Sequence, residues 1–182
     1  MKYLLVSDIH GDYNELEFII NKFNELKCEK IICLGDFLYH GPRNDLPKGY
    51  NPKKCIELLN KYKDKIIAIN GNCDAEVDQM VLDFKLNKEL NLQLFNKNFY
   101  LVHGHHLDKI KNIDKNTIVL HGHTHIFAIY KKDDMTFINP GSISIPRNNH
   151  PKTYALIEKN GISILDKKDN ILLKFTFIEN QM

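Results

Sequence analysis

Short apolar runs that end abruptly in polar, glycine-bearing turns constrain this chain more than any other feature. Residues 3–6 run into Ser7-Asp8-Ile9-His10-Gly11-Asp12, residues 30–34 into Gly35-Asp36, and residues 65–69 reach Gly71-Asn72-Cys73-Asp74. Further along, residues 99–102 meet His103-Gly104-His105, residues 118–120 meet His121-Gly122-His123-Thr124-His125, and residues 135–138 meet Asn139-Pro140-Gly141-Ser142. Apolar runs of this length, bounded by such turns, read as buried strands. Their turns are expected to converge at the strands' C-terminal ends, where ligands bind in open α/β folds.

Between the first two runs, Leu16, Ile19, Ile20, Phe23 and Leu26 recur at helical spacing. A second helix is predicted over residues 52–62, with Pro52 at its start, after a Gly- and Pro-bearing loop over 38–51. Beyond Asp74 the alternation gives way to strands in succession, with further runs at 153–157, 162–165 and 171–177. A β-α-β half followed by a mostly β half predicts an α/β layered sandwich. At 182 residues, without repeat or linker, one domain spanning 1–182 is expected.

Composition excludes several partners. No apolar run approaches the roughly 20 residues that span a bilayer, and the first is too short for a signal peptide. A soluble, cytoplasmic protein with no membrane partner is the expectation. Lys+Arg total 25 against 23 Asp+Glu, a balance with no dedicated nucleic-acid surface. Cys28, Cys33, Cys55 and Cys73 form no CxxC pair and are expected as free thiols in a reducing compartment. Only Arg43 and Arg147 are arginines, and both sit in Pro-Arg-Asn turns. Arginine's planar fork grips phosphate oxygens as lysine cannot, so Arg43 is a candidate phosphate contact, whereas Arg147 is expected to be an ordinary surface residue.

The turns carry metal-competent side chains in order: Asp8 and His10, Asp36, Asn72, His103, then His123 and His125. In extended chain, residues i and i+2 share a side, so His123 and His125 can face one cavity, with Gly122 allowing the backbone to bend. Two cations account for the mixture: Asp8, His10 and His125 for the first, Asn72, His103 and His123 for the second, and Asp36 between them. Nitrogen and oxygen donors together suit Mn, Fe, Zn, Co or Ni rather than the all-oxygen sites of calcium. Such a pair, roughly 3.5–4 Å apart, clamps a phosphate and activates water for in-line attack by a bridging hydroxide.

These motifs, D-x-H, G-D, G-N-x-[ED], H-G and G-H-T-H in this order, resemble those of the calcineurin-like metallophosphoesterase superfamily over the whole chain. Residues 35–54, 71–80 and 139–146 further resemble the small bacterial YfcE-type phosphodiesterases. The resemblance implies a four-layer α-β-β-α sandwich, two metals with manganese often preferred, cleavage of phosphodiesters of small-molecule or nucleotide type, and a homo-oligomer. It also places the metal ligands on the seven residues named above. Many superfamily members carry histidine after the Gly-Asn pair, where it contacts phosphate or protonates the leaving group; here Cys73 stands there. Either the thiol donates that proton or water does, and water is favoured. Asp74 either holds a ligand histidine in its tautomer or caps the turn. His105 is expected at the pocket rim, and His106 and His150 at the surface. His121 should be packed or solvated, and His40 either helps Arg43 or is structural. The rival readings are a phosphomonoesterase or protein phosphatase on the same site, or a non-catalytic scaffold like the retromer subunit of this fold.

Overall fold

The computed structural model describes residues 1–110 and 113–177. In chain order the elements are β1 (Lys2–Val6), α1 (Tyr13–Glu25), β2 (Lys30–Cys33), α2 (Pro52–Lys61), β3 (Ile66–Ile69), α3 (Asp78–Val81), β4 (Leu86–Asn87), β5 (Glu89–Leu94) and β6 (Lys97–Val102). They continue with β7 (Ile118–Leu120), β8 (Ala128–Lys132), β9 (Met135–Asn139), β10 (Thr153–Glu158), β11 (Gly161–Asp166) and β12 (Ile171–Thr176). One sheet has the order β12-β11-β10-β1-β2-β3-β4 and the other β5-β6-β7-β9-β8.

Alternation along β1 creates the layers. Leu4 and Val6 face α1 and α2, where they join Leu16, Ile19, Phe23, Cys55 and Leu59. Leu5 points the other way and packs with Ile32, Leu34 and Ile69 against Leu101, Leu120 and Ile138 of the second sheet. A strand buried on both faces reads as a continuous apolar run, which is why residues 3–6 show no polar alternation. The helices begin where their side chains can cap them. Asp12 accepts the Glu15 N–H at 3.4 Å, and Asn51 accepts that of Lys54 at 3.2 Å with Pro52 in the first turn. Helices, first sheet, second sheet and an outer cover follow in the expected four-layer order. That cover is thin: around the 3-10 turn Leu107–Lys109, Leu107, Ile110 and Ile113 lie on Tyr100, Val119 and Phe137.

Strands β1, β2 and β3 are mutually parallel, as are β6, β7 and β9. The turns that leave them carry all the candidate ligands. Four elements were not foreseen: α3, the short β4 at the edge of the first sheet, and the strands β5 and β8, which complete the second sheet as its two edges. Both edge hairpins close through two-residue turns with positive φ, Phe95-Asn96 and Asp133-Asp134. Such turns match strand twist and favour Asn, Asp and Gly.

Candidate metal centre

Backbone hydrogen bonds zip the ligand-bearing turns together. After β1 and β2, the N–H groups of Asp8, His10 and Gly11 donate to the carbonyls of Gly35, Asp36 and Phe37 at 3.1, 2.8 and 2.9 Å. After β6 and β7, the Gly122 N–H donates to the His103 carbonyl at 2.7 Å. Five candidate ligands sit in the left-handed region: Asp8, His10, Asp36, His123 and His125, with φ of 58°, 50°, 59°, 68° and 60°. Each such residue costs about 1–2 kcal/mol, and strain of this kind persists only where the surroundings impose it, typically at functional sites. Gly122 is needed for room rather than for bending: a Cβ there would lie 1.9 Å from Ser7 Oγ and 2.7 Å from Asp8 Oδ2.

Asp8, His10, Asp36 and His125 bring one ligand atom each to within 4.8 Å of one another. His10 Nδ1 lies 2.7 Å from the Tyr39 carbonyl and His125 Nδ1 2.8 Å from that of Ile145. A carbonyl only accepts, so both Nδ1 atoms carry a proton, and each ring, when neutral, presents a lone pair at Nε2. Those two Nε2 atoms face each other at 3.2 Å. Asp8 Oδ1, 3.3 Å from His125 Nε2, is buried without a hydrogen-bond partner among the described residues, while its other oxygen accepts the His123 N–H at 3.1 Å. Two lone pairs and an orphaned carboxylate oxygen aimed at one point fit a cation.

The second group also assembles. His103 Nδ1 donates to the Leu34 carbonyl at 2.7 Å. Its Nε2 therefore turns to Asn72 Oδ1 at 3.0 Å and Asp36 Oδ2 at 3.4 Å. His123 Nδ1 is 2.7 Å from the same Asn72 oxygen. Asp36 lies between the groups, its Oδ2 3.6 Å from His10 Nε2. Protons fill this space when cations do not. Burial disfavours charge on His103, but its bond to Asp36 and the field of Asp8 outweigh burial and lift it to about 9. Burial would raise Asp8, yet His10 and His125 hold its carboxyl well below the usual range.

The remaining candidates divide. Asp74 sets no histidine tautomer. Its carboxylate accepts the N–H groups of Asp36 and Gly71 on one oxygen, at 2.8 and 2.7 Å, and of Phe37 on the other, at 2.7 Å. It is the turn cap, buried enough that its carboxyl rises to about 6 against the pull of those donors. Cys73 lines a cavity of about 460 Å³ over the centre together with Arg43, and burial, with Asp36 beside it, pushes the thiol up to about 12. The His105 ring lies tilted, 5.5 Å from that of His103, and, contrary to expectation, does not line the cavity; His106 is exposed. His121 is buried beside Tyr130 and Asn139. His40 packs edge-on against Tyr39 and Tyr50 and does not line the cavity. His150 is half-buried on Phe127, with ring centroids 4.7 Å apart, rather than at the surface. Arg147 was passed over as ordinary, yet it lines the same cavity as Arg43. The signal was present in the repeated Pro-Arg-Asn turn.

A family model described as the calcineurin-like phosphoesterase superfamily domain matches residues 1–161. Phosphodiesterase YfcE of Escherichia coli (strain K12) is 36% identical over 176 residues, covering 95% of this chain and 96% of its own. The solved structure of that E. coli phosphoesterase superposes with a TM-score of 0.92 at 34% identity, over 97% of this chain and 99% of that one. Phosphodiesterase MJ0936 of Methanocaldococcus jannaschii is 29% identical over 151 residues, 78% of this chain and 83% of its own. Vacuolar protein sorting 29 of Cryptosporidium parvum, at 18% identity and a TM-score of 0.61 over 97% of this chain and 98% of that one, shares the fold.

Proposed function

This chain belongs to the calcineurin-like phosphoesterase superfamily, and on that premise we propose that it is a metal-dependent phosphodiesterase with a two-ion centre. Asp8, His10 and His125 would hold one ion, Asn72, His103 and His123 the other, with Asp36 shared. The observation that carries this is the 3.2 Å approach of the His10 and His125 Nε2 atoms beside the unpartnered Asp8 Oδ1. When bound, paired divalent ions neutralise phosphate charge and yield a nucleophile from water at neutral pH.

The chain's own groups prepare that chemistry. The carbonyls of Tyr39, Leu34 and Ile145 fix three imidazoles with Nε2 inward, so no ring must reorient when substrate arrives. Asp74 locks the Asp36 turn. Arg43, at the cavity wall, supplies a positive charge for phosphate oxygens of the substrate. In the metal-free fold burial and the Asp36 carboxylate push the Cys73 thiol up to about 12, far from the range of an efficient general acid at neutral pH, and we assign the leaving group's proton to solvent. Activated aryl and nucleotide-type esters are then cleaved faster than alkyl ones. The mixed nitrogen and oxygen donor set suits manganese, and a cavity of about 460 Å³ suits a small diester. Four free cysteines support action in the cytoplasm.

The test is hydrolysis of bis-p-nitrophenyl phosphate and p-nitrophenyl phosphate by metal-stripped protein given Mn²⁺, with metal counted per chain. Diester cleavage should exceed monoester cleavage, with two ions bound. Monoester preference would move the protein to the phosphatases, and bound metal without turnover would favour the scaffold.

A further inference from the structure

Arginine is scarce in this chain and concentrated in one place. Of 25 basic residues only Arg43 and Arg147 are arginine. Both line the cavity over the metal centre, and no lysine among the described residues does. They arrive from opposite halves of the sequence, each in a Pro-Arg-Asn turn.

The fold ties these turns to each other and to the centre. Asn44 Nδ2 donates to the His40 carbonyl at 2.7 Å, and its Oδ1 accepts from Arg147 Nη2 at 3.4 Å. The Arg147 N–H donates to the carbonyl of His125 at 3.3 Å. Gly41, two residues before Arg43, has φ 84°, and a Cβ there would lie 3.1 Å from Cys73 Sγ, so that turn is pressed against the centre as well. Both arginine side chains are exposed, and neither has a carboxylate partner among the described residues.

Two unpaired like charges gathered at one cavity repel unless an anion lies between them. A guanidinium is the side chain best matched to phosphate oxygens. A simple phosphodiester carries one negative charge, which the divalent ions proposed for the centre already meet, leaving both arginines without an anion. We infer that Arg43 and Arg147 form a clamp for a second phosphate, so that the substrate is a nucleotide-sized phosphodiester bearing a further phosphate on one arm. This rests on the phosphodiesterase reading above.

A matched pair of esters tests it: the p-nitrophenyl ester of thymidine 5′-monophosphate with and without a 3′-phosphate, assayed with the Mn²⁺-loaded protein. The 3′-phosphate should lower KM by at least about 10-fold, the scale of one charge-assisted hydrogen bond. That advantage should shrink below about 3-fold in Arg43→Ala and in Arg147→Ala, with thermal unfolding confirming that both variants keep the fold. Equal KM values in the parent protein, or an advantage that survives both substitutions, overturns the clamp. If neither ester turns over, the phosphodiesterase reading fails by itself and calorimetry decides the clamp separately. Binding of thymidine 3′,5′-bisphosphate must then weaken at least about 10-fold in each variant, and absent or unchanged binding overturns it.

Discussion

The two halves of the centre use the same kinds of side chain at different depths. Asp8, His10, Asp36 and His125 are no more than 3% exposed; all four have left-handed backbones, and carbonyl bonds fix the two histidine rings. In the second group only His103 is buried as deeply; Asn72 is exposed and His123 half-buried, with the Asn72 oxygen shared between His103 and His123. Burial without a partner is what makes a lone pair expensive, so the inner half has more to gain from a cation. The outer half, through Asn72 and His123, faces the same cavity as His10, Asp36 and His125, but with less protein over it. Its ion is expected to exchange more readily and to be the one that substrate helps to hold.

Asp36 is where that contrast is most easily broken, because its carboxylate borders both halves. Metal-centre charge stabilisation is worth several kcal/mol, so Asp36→Asn should lower Mn²⁺-dependent kcat/KM on bis-p-nitrophenyl phosphate by roughly 10³-fold. Metal analysis should show both ions weakened. If one ion stays bound at full affinity, Asp36 serves one half only.

His125→Ala against His123→Ala measures the difference in depth directly. Losing the inner ligand should weaken the tight ion by about 100-fold and destabilise the protein by about 2 kcal/mol or more, because it opens a cavity beside a buried carboxylate. The outer substitution should weaken the looser ion by about 10-fold with little change in Tm. Equal losses in calorimetric metal affinity and in denaturant midpoint would erase the distinction.

Protons sharpen it further. With His103 raised from 6.5 to about 9 in the metal-free fold, the stability it contributes is complete below about pH 6.5 and disappears as pH climbs through about 9. His10 is raised in the same sense, burial opposing and Asp8 prevailing, whereas burial and the His103 charge lower His123. A cation needs the lone pairs that those protons occupy. Mn²⁺ affinity should therefore rise by about tenfold per pH unit for each proton displaced between pH 6.5 and 9. Calorimetry in buffers of different ionisation enthalpy counts the protons released. Flat affinity across that window would show that the rings are neutral before metal binds.

Much of this was legible because strands and turns have local signatures. The parallel strands show as apolar runs, and the turns that leave them contain the seven candidate ligands in sequence order, four from the first sheet and three from the second. The second sheet was harder. In β5, Leu90, Leu92 and Leu94 alternate with exposed Glu89, Asn91 and Gln93, a pattern of period two that was readable but lies in a polar stretch. The edge strand β8 ends in Lys131 and Lys132, which disguises it as loop while protecting an open edge. No propensity scale announces a left-handed aspartate or histidine; those conformations come from turns pressed together across the fold. Asp74 was ambiguous for the same reason, since its three backbone donors lie on two separate turns.

The smallest effect is expected at Cys73, where sequence alone left two proton donors open. The side chain is half-buried at the cavity wall, beside Asn72 and 2.8 Å, through its backbone N–H, from Asp36 Oδ1. Alanine keeps that backbone contact and loses only the weak acceptor that the sulfur offers Asn72 Nδ2 at 3.4 Å. Burial, with the Asp36 carboxylate alongside, pushes the thiol up to about 12, so at neutral pH it holds its proton too tightly to match a leaving group in transit. Cys73→Ala should therefore change kcat on p-nitrophenyl esters by less than about 2-fold, far below the 10²–10⁴-fold typical of a general acid. An alkyl ester is the stringent probe, because its leaving group needs a proton most. A loss of 100-fold or more there, with aryl esters untouched, would make the thiol the acid and place a catalytic group in the exposed half of the site.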